Sequence, residues 1–126
     1  MAKNLLWIFG VVFLVVGALG WVPNPIVGMG AIFETNHAHD LFHLVIGALF
    51  VFVAMSAIDK AALTLKAGGA VYLLVAVLGF MMVPKGGALL GLIQTNVADH
   101  WLHVVLGAAL LAAGFMTKSE GNTTPV

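Results

Sequence analysis

Apolar residues run along this chain in long blocks, and polar residues fall almost wholly between them. The blocks cover residues 5–22, about 38–58, about 67–83 and about 98–116. Each approaches the roughly 20 apolar residues that a membrane-spanning helix needs. The third block reaches back to Ala61 if Lys66 extends its ammonium to the membrane surface along its aliphatic stem. Inside a block, hydrophobic residues follow one another without alternation, as in Val11-Val12-Phe13-Leu14-Val15-Val16. A transmembrane β-strand would alternate apolar and polar positions over ~10 residues. The pattern therefore predicts an all-α membrane protein with four transmembrane helices. Helix and connection fill residues 1–116 as one domain, and a polar, disordered tail is expected at 117–126.

Composition agrees. Hydrophobic residues make up 62% of the 126, charged residues 8%, and mean hydropathy is +1.12. A soluble domain is about 45–50% apolar and about 25% charged. Five Lys, no Arg and five acids give zero formal net charge, which excludes a basic nucleic-acid-binding surface. The absence of Cys removes disulfides, thiolate metal sites and thiol catalysis.

The N-terminal block could be misread as a cleaved secretory signal, because Lys3 precedes it and small residues follow near Ala18-Leu19-Gly20. It has a counterpart later in the chain, so it is expected to stay as part of the fold. With an even number of spans, Lys3, Lys60, Lys66 and Lys118 share one side and Lys85 lies opposite. The positive-inside rule then puts both termini in the cytoplasm of a bacterial inner-membrane type of protein. Residues 23–37 and 84–97 face outward, and the five His lie within or just after them.

The chain repeats itself with an offset of 60. Thr35 through Ala48 aligns with Thr95 through Ala108, with seven of fourteen positions identical. Upstream, Leu19-Gly20-Trp21 matches Leu78-Gly79-Phe80 and Pro25 matches Pro84 after one gap. This predicts tandem helical hairpins, about 5–58 and about 63–116, of equal orientation. They should be related by a pseudo-two-fold axis along the membrane normal, with the second and fourth helices near it. The apolar, Gly-rich connections within each hairpin are expected to be short interfacial or re-entrant stretches.

Thr35-Asn36 and Thr95-Asn96 are suited to cap the helices that follow them. Asn36, Asp40, His43 and Gly47 fall within about 60° of one line on a helix. Asn96, His100, His103 and Gly107 repeat the stripe, with His39 and Asp99 flanking at equivalent positions. Acid and imidazole thus exchange places between the copies. Ionisable groups inside spans are costly and often mark function.

Three readings of the stripe compete. In the favoured one, imidazoles and carboxyls hydrogen-bond across the second and fourth helices, and Gly47 and Gly107 let the backbones approach. The chain is then a structural or assembly module. It is expected to work in the lipid bilayer, as a homo-oligomer or as a subunit of a larger membrane complex, without nucleic acid. In the second, His43, His103, His100 and Asp40 bind a divalent transition metal, with His39, Asp99, Asn36 and Asn96 orienting them. In the third, weaker reading, His43 and His103 ligate haem b. A proton path is disfavoured because the inner half of the spans lacks ionisable residues. The chain carries no nucleotide-binding loop and no nucleophile–base pair, so catalysis is not expected and no catalytic residue is assigned.

Other features take ordinary readings. His37 has Val97 at its equivalent position and reads as a solvated loop residue. Trp7, Trp21 and Trp101 read as interface anchors, and Met81-Met82 as packing.

The segment from Leu89 through Gly107 resembles a family of small bacterial four-helix membrane proteins of unknown function. That family carries Leu-Gly-x-Phe-x-x-Asn, a His seven residues after the Asn, and a Gly four after the His. Asn96, His103 and Gly107 match, as do Asn36, His43 and Gly47. The family's Phe is Phe33 in one copy and Ile93 in the other. Where the family commonly has Asn before the His, this chain has Asp40 and His100. The resemblance implies a four-helix membrane domain and brings no activity with it.

Overall fold

The structure, a computed structural model, describes residues 1–117. Helices α1 (Ala2–Leu19), α2 (His37–Ser56), α3 (Ala61–Met82) and α4 (Val97–Met116) dominate it. All four are long and apolar enough to cross a membrane. The third helix does take in Lys66. Its stem packs on Gly114 and its ammonium lies 4.5 Å from the Phe115 ring centroid. Thr117, expected in the tail, instead finishes α4: it is buried, and its hydroxyl donates to the Ala113 carbonyl at 2.8 Å. The rest of the expected tail, 118–126 with Lys118, lies outside the described residues.

Helices α2 and α4 start where the sequence offers a cap. The Asn36 side chain accepts the His39 N–H, and Asn96 accepts that of Asp99. Asp99 returns the bond by accepting the Asn96 N–H, which completes a capping box. These bonds satisfy donors that lipid could not.

Each connection within a hairpin, expected as a short interfacial or re-entrant stretch, holds a pair of short strands. Val27–Gly28 (β1) pairs in parallel with Phe33–Glu34 (β2), and Gly87–Leu89 (β3) pairs antiparallel with Ile93–Thr95 (β4). The β3–β4 connection, residues 90–92, has positive φ at both Leu90 (55°) and Gly91 (70°). Glycine supplies that conformation readily, while apolar Leu90 hid the turn from a reading based on polar turn residues. Met81 and Met82, expected to pack, are largely exposed near the end of α3.

Helix α1 packs chiefly on α2, and α3 on α4. Small residues set both contacts. A Cβ on Gly47 would lie 2.8 Å from the Gly10 carbonyl oxygen and the Leu14 nitrogen. A Cβ on Gly107 would lie 2.8 Å from the Leu73 nitrogen. The backbones therefore touch at these points, but within each hairpin and not between α2 and α4, where Gly47 and Gly107 were expected to act; close van der Waals contact is how helices associate in lipid. Between the pairs, a core forms from Leu6, Phe13, Phe50, Leu65, Tyr72 and Leu110. Large apolar residues such as Ile8, Val45, Phe52, Leu74 and Val105 point outward, as a lipid-facing surface requires.

Replacing Gly47 or Gly107 by Val should destabilise the fold by about 1–3 kcal/mol or more through overpacking. Val45→Ala on the outer face should cost under about 1 kcal/mol. Unfolding midpoints in mixed micelles of rising dodecyl sulfate content check this. Equal midpoints for the Gly and outer-face variants would contradict the close packing.

Candidate metal centre

The stripe on α2 serves more than one interface. Successive residues on a helix are about 100° apart, so His39 and Asp40 cannot face the same neighbour. Asp40 and Gly47 face α1. The Asp40 carboxyl sits directly on the Cα of Gly20, a place only glycine leaves open. His39 and His43 instead turn toward the centre of the bundle, where His103 arrives from the second turn of α4.

The three imidazoles are 3–6% exposed, and one nitrogen from each lies within 4.8 Å of the others. Among the described residues this is the one grouping of three or more His, Cys or acidic side chains close enough to hold a metal ion. Ring centroids are 4.8 Å apart for His39–His43, 5.6 Å for His39–His103 and 6.4 Å for His43–His103.

Hydrogen bonding fixes the chemistry of one ligand. His39 Nδ1 lies 2.7 Å from the Gln94 carbonyl oxygen. A carbonyl only accepts, so Nδ1 carries the proton and Nε2 keeps its lone pair. Metal-binding histidines are commonly oriented in this way. The Nδ1 atoms of His43 and His103 are buried and find no hydrogen-bond partner among the described residues.

Tyr72 was not anticipated. It is the chain's one tyrosine, it is 4% exposed, and its hydroxyl has no hydrogen-bond partner among the described residues. Its ring centroid lies 5.5 Å from that of His103 and 6.2 Å from that of His43. On its other side it stacks on Phe13 at 5.1 Å. A hydroxyl in the middle of an apolar span was the available signal. A cavity of about 130 Å³ adjoins the group, lined by His39, Phe42, His43, Tyr72 and His103 among others.

The other stripe residues lie elsewhere. His100 rests on Gly79 and its Nε2–H donates to the Val83 carbonyl at 2.9 Å. Asp40 and His100, read from the wheel as ligands, thus each point into their own hairpin, while His39, read as a flanking residue, joins the centre. Asp99 is engaged at the α4 cap. The Asn36 amide donates to the Leu92 carbonyl at 2.9 Å and the Asn96 amide to that of Ile32 at 2.8 Å, so each Asn also ties its helix to the other hairpin's connection. His37 is the first residue of α2 and not a loop residue, and it stacks on Trp21 with centroids 4.0 Å apart.

Chemically, three buried imidazoles without sulfur offer donor atoms of the kind that zinc, copper(II) or iron accepts. Two nitrogens each about 2.0–2.1 Å from one ion can be at most about 4.2 Å apart. A pair at the outer limit of the observed spacing must therefore close slightly around the ion. Haem fits poorly: the adjoining cavity, about 130 Å³, is well below the roughly 300–1,000 Å³ of pockets for sizeable ligands.

No curated protein and no solved structure matches the chain. Residues 3–116, nearly all of the described chain, match the family described as Domain of unknown function (DUF4383), and the protein belongs to that family.

Proposed function

We propose that this chain binds one transition-metal ion within the membrane, through His39, His43 and His103. The observation that carries the reading is the convergence of three buried imidazole nitrogens, within 4.8 Å of one another, from both halves of the chain. Three neutral imidazoles attract zinc or copper(II) strongly and leave a coordination position open. The Tyr72 hydroxyl, unpartnered beside them, can donate to an oxygen ligand in that position.

Among the described residues, no hydrogen bond joins the three imidazoles to one another or to Asp40 or Asp99. That favours the metal over a cluster held together by its own hydrogen bonds. A tie between the halves still has support of its own, from Asn36, Asn96 and His39, which reach backbone carbonyls of the opposite hairpin. A structural role for these residues is compatible with metal binding.

The reading includes an origin by duplication, with the Asn–His–Gly motif in both halves of one domain. Paired contacts support it: Asp40 on Gly20 and His100 on Gly79, Asn36 to Leu92 and Asn96 to Ile32, and the stacked rings of Phe13 and Tyr72. The parallel β1–β2 and antiparallel β3–β4 pairs are where the halves differ. The lysine distribution supports cytoplasmic termini and an extracytoplasmic metal centre.

Purified protein loaded with zinc or copper(II) and passed through a desalting column should retain about one ion per chain. His39→Ala, His43→Ala and His103→Ala should each weaken binding by about 10-fold or more, the range known for changes around metal sites. Asp40→Asn and His100→Ala should retain it. Elemental analysis reads the outcome. Retention by all three triad variants, or loss on changing Asp40 or His100 alone, overturns the assignment.

The orientation has its own test, helped by the absence of native cysteine. A single Cys replacing Met29 or Leu92 should react with a membrane-impermeant thiol reagent added outside intact cells. A Cys replacing Lys60 should react only after the membrane is opened. The reverse pattern contradicts the assigned topology.

A further inference from the structure

We infer that a second site, on the other face of α2, binds a primary ammonium group. At the end of α1, Trp21, Pro23, Asn24, Met29, Thr35 and Asp40 help to line a cavity of about 300 Å³. Asp40 is fully buried and Thr35 is 2% exposed. Both carboxyl oxygens of Asp40 and the hydroxyl oxygen of Thr35 find no hydrogen-bond partner among the described residues. A buried carboxylate without a partner is costly, so this arrangement asks for a donor or a cation.

The second hairpin has its own solution to the same packing problem. Sixty residues on, His100 sits on Gly79 as Asp40 sits on Gly20, and its ring N–H donates to the Val83 carbonyl. An imidazole can supply that donor from within the chain. A carboxylate cannot, and no donor from the described residues reaches Asp40.

Unpartnered carboxyl and hydroxyl oxygens suit the N–H donors of a primary ammonium, which bonds to a carboxylate more strongly than neutral partners do. The remaining lining suits a short apolar body and a positive charge: it includes Trp21 and His37, stacked on each other, with Val27 and Met29. The volume is far larger than a bare inorganic ion needs. A soluble alkylamine and the ethanolamine headgroup of a phospholipid share this chemistry, and the cavity lies at the helix ends where headgroups are found.

Titration calorimetry on the full chain in phosphatidylglycerol nanodiscs, at constant ionic strength, tests the site. n-Butylammonium should bind saturably. n-Butanol, tetramethylammonium and sodium should each bind at least about tenfold more weakly, because a buried charge pair needs both charge and N–H donors. Asp40→Asn, checked for unchanged helical content and elution, should weaken the amine by at least a similar factor. Adding phosphatidylethanolamine to the nanodiscs distinguishes the source. A lower apparent amine affinity that disappears in Asp40→Asn identifies the lipid headgroup, and an unchanged affinity identifies a free amine. No saturable binding to the wild-type chain, equal binding of butanol or sodium, or undiminished binding to a folded Asp40→Asn overturns the site. The wild-type comparison of amine with alcohol decides even if the variant does not fold. Because Asp40 is not among the three imidazole ligands, metal binding can fail while this site stands, and the reverse.

Discussion

Apolar side chains gain little by leaving lipid for a neighbouring helix, so a membrane bundle must be held by contact quality and by polar groups that find partners inside. In this protein the contact is set by glycine. Gly10 against Gly47 and Gly69 against Gly107 bring backbones together within each hairpin at distances that a methyl group would not allow. Once those helices are this close, side chains a turn or two nearer the outer connections lose their room as well. Gly20 and Gly79 then become the places where Asp40 and His100 can fit.

That packing divides the work of α2. One face locks the hairpin and buries Asp40. The neighbouring face is free to meet the other hairpin, and there His39, His43, His103 and Tyr72 gather. Polar side chains in the middle of a bundle are tolerated when something satisfies them. In the proposed sites a metal ion would do this for three imidazoles, and an ammonium ion for a carboxyl and a hydroxyl. Both proposed ligands answer the same physical demand at different faces of one helix. The cap bonds of Asn36 and Asn96 hold the helix starts in place while their amides cross to the opposite hairpin.

Much of this was legible beforehand. Four apolar blocks and the capping Asn residues defined the spans and their starts, because hydrophobic length and cap chemistry are local properties. The wheel also marked the stretch of α2 and α4 from which His43 and His103 come together. It misassigned roles within that stretch, treating Asp40 and His100 as partners of His43 and leaving His39 at the margin. A wheel gives the angle of a side chain about its own axis and says nothing of where neighbouring axes lie. The small strands escaped notice because Gly, Leu and Val in these connections look like membrane-buried sequence, while positive-φ glycines such as Gly91 serve the tight turns between them.

The sequence by itself determined that this is a four-span α-helical membrane protein, since span length and capping residues are written in residue order. Only the tertiary structure decided which polar residues meet. Two interfaces compete for the same stripe, and the close approach at Gly47 and Gly107 settles the rotation of α2 and α4 against their partners. That rotation carries Asp40 and His100 into the hairpins and turns His39, His43 and His103 toward one another. It follows from contacts between residues dozens of positions apart, which no local pattern encodes.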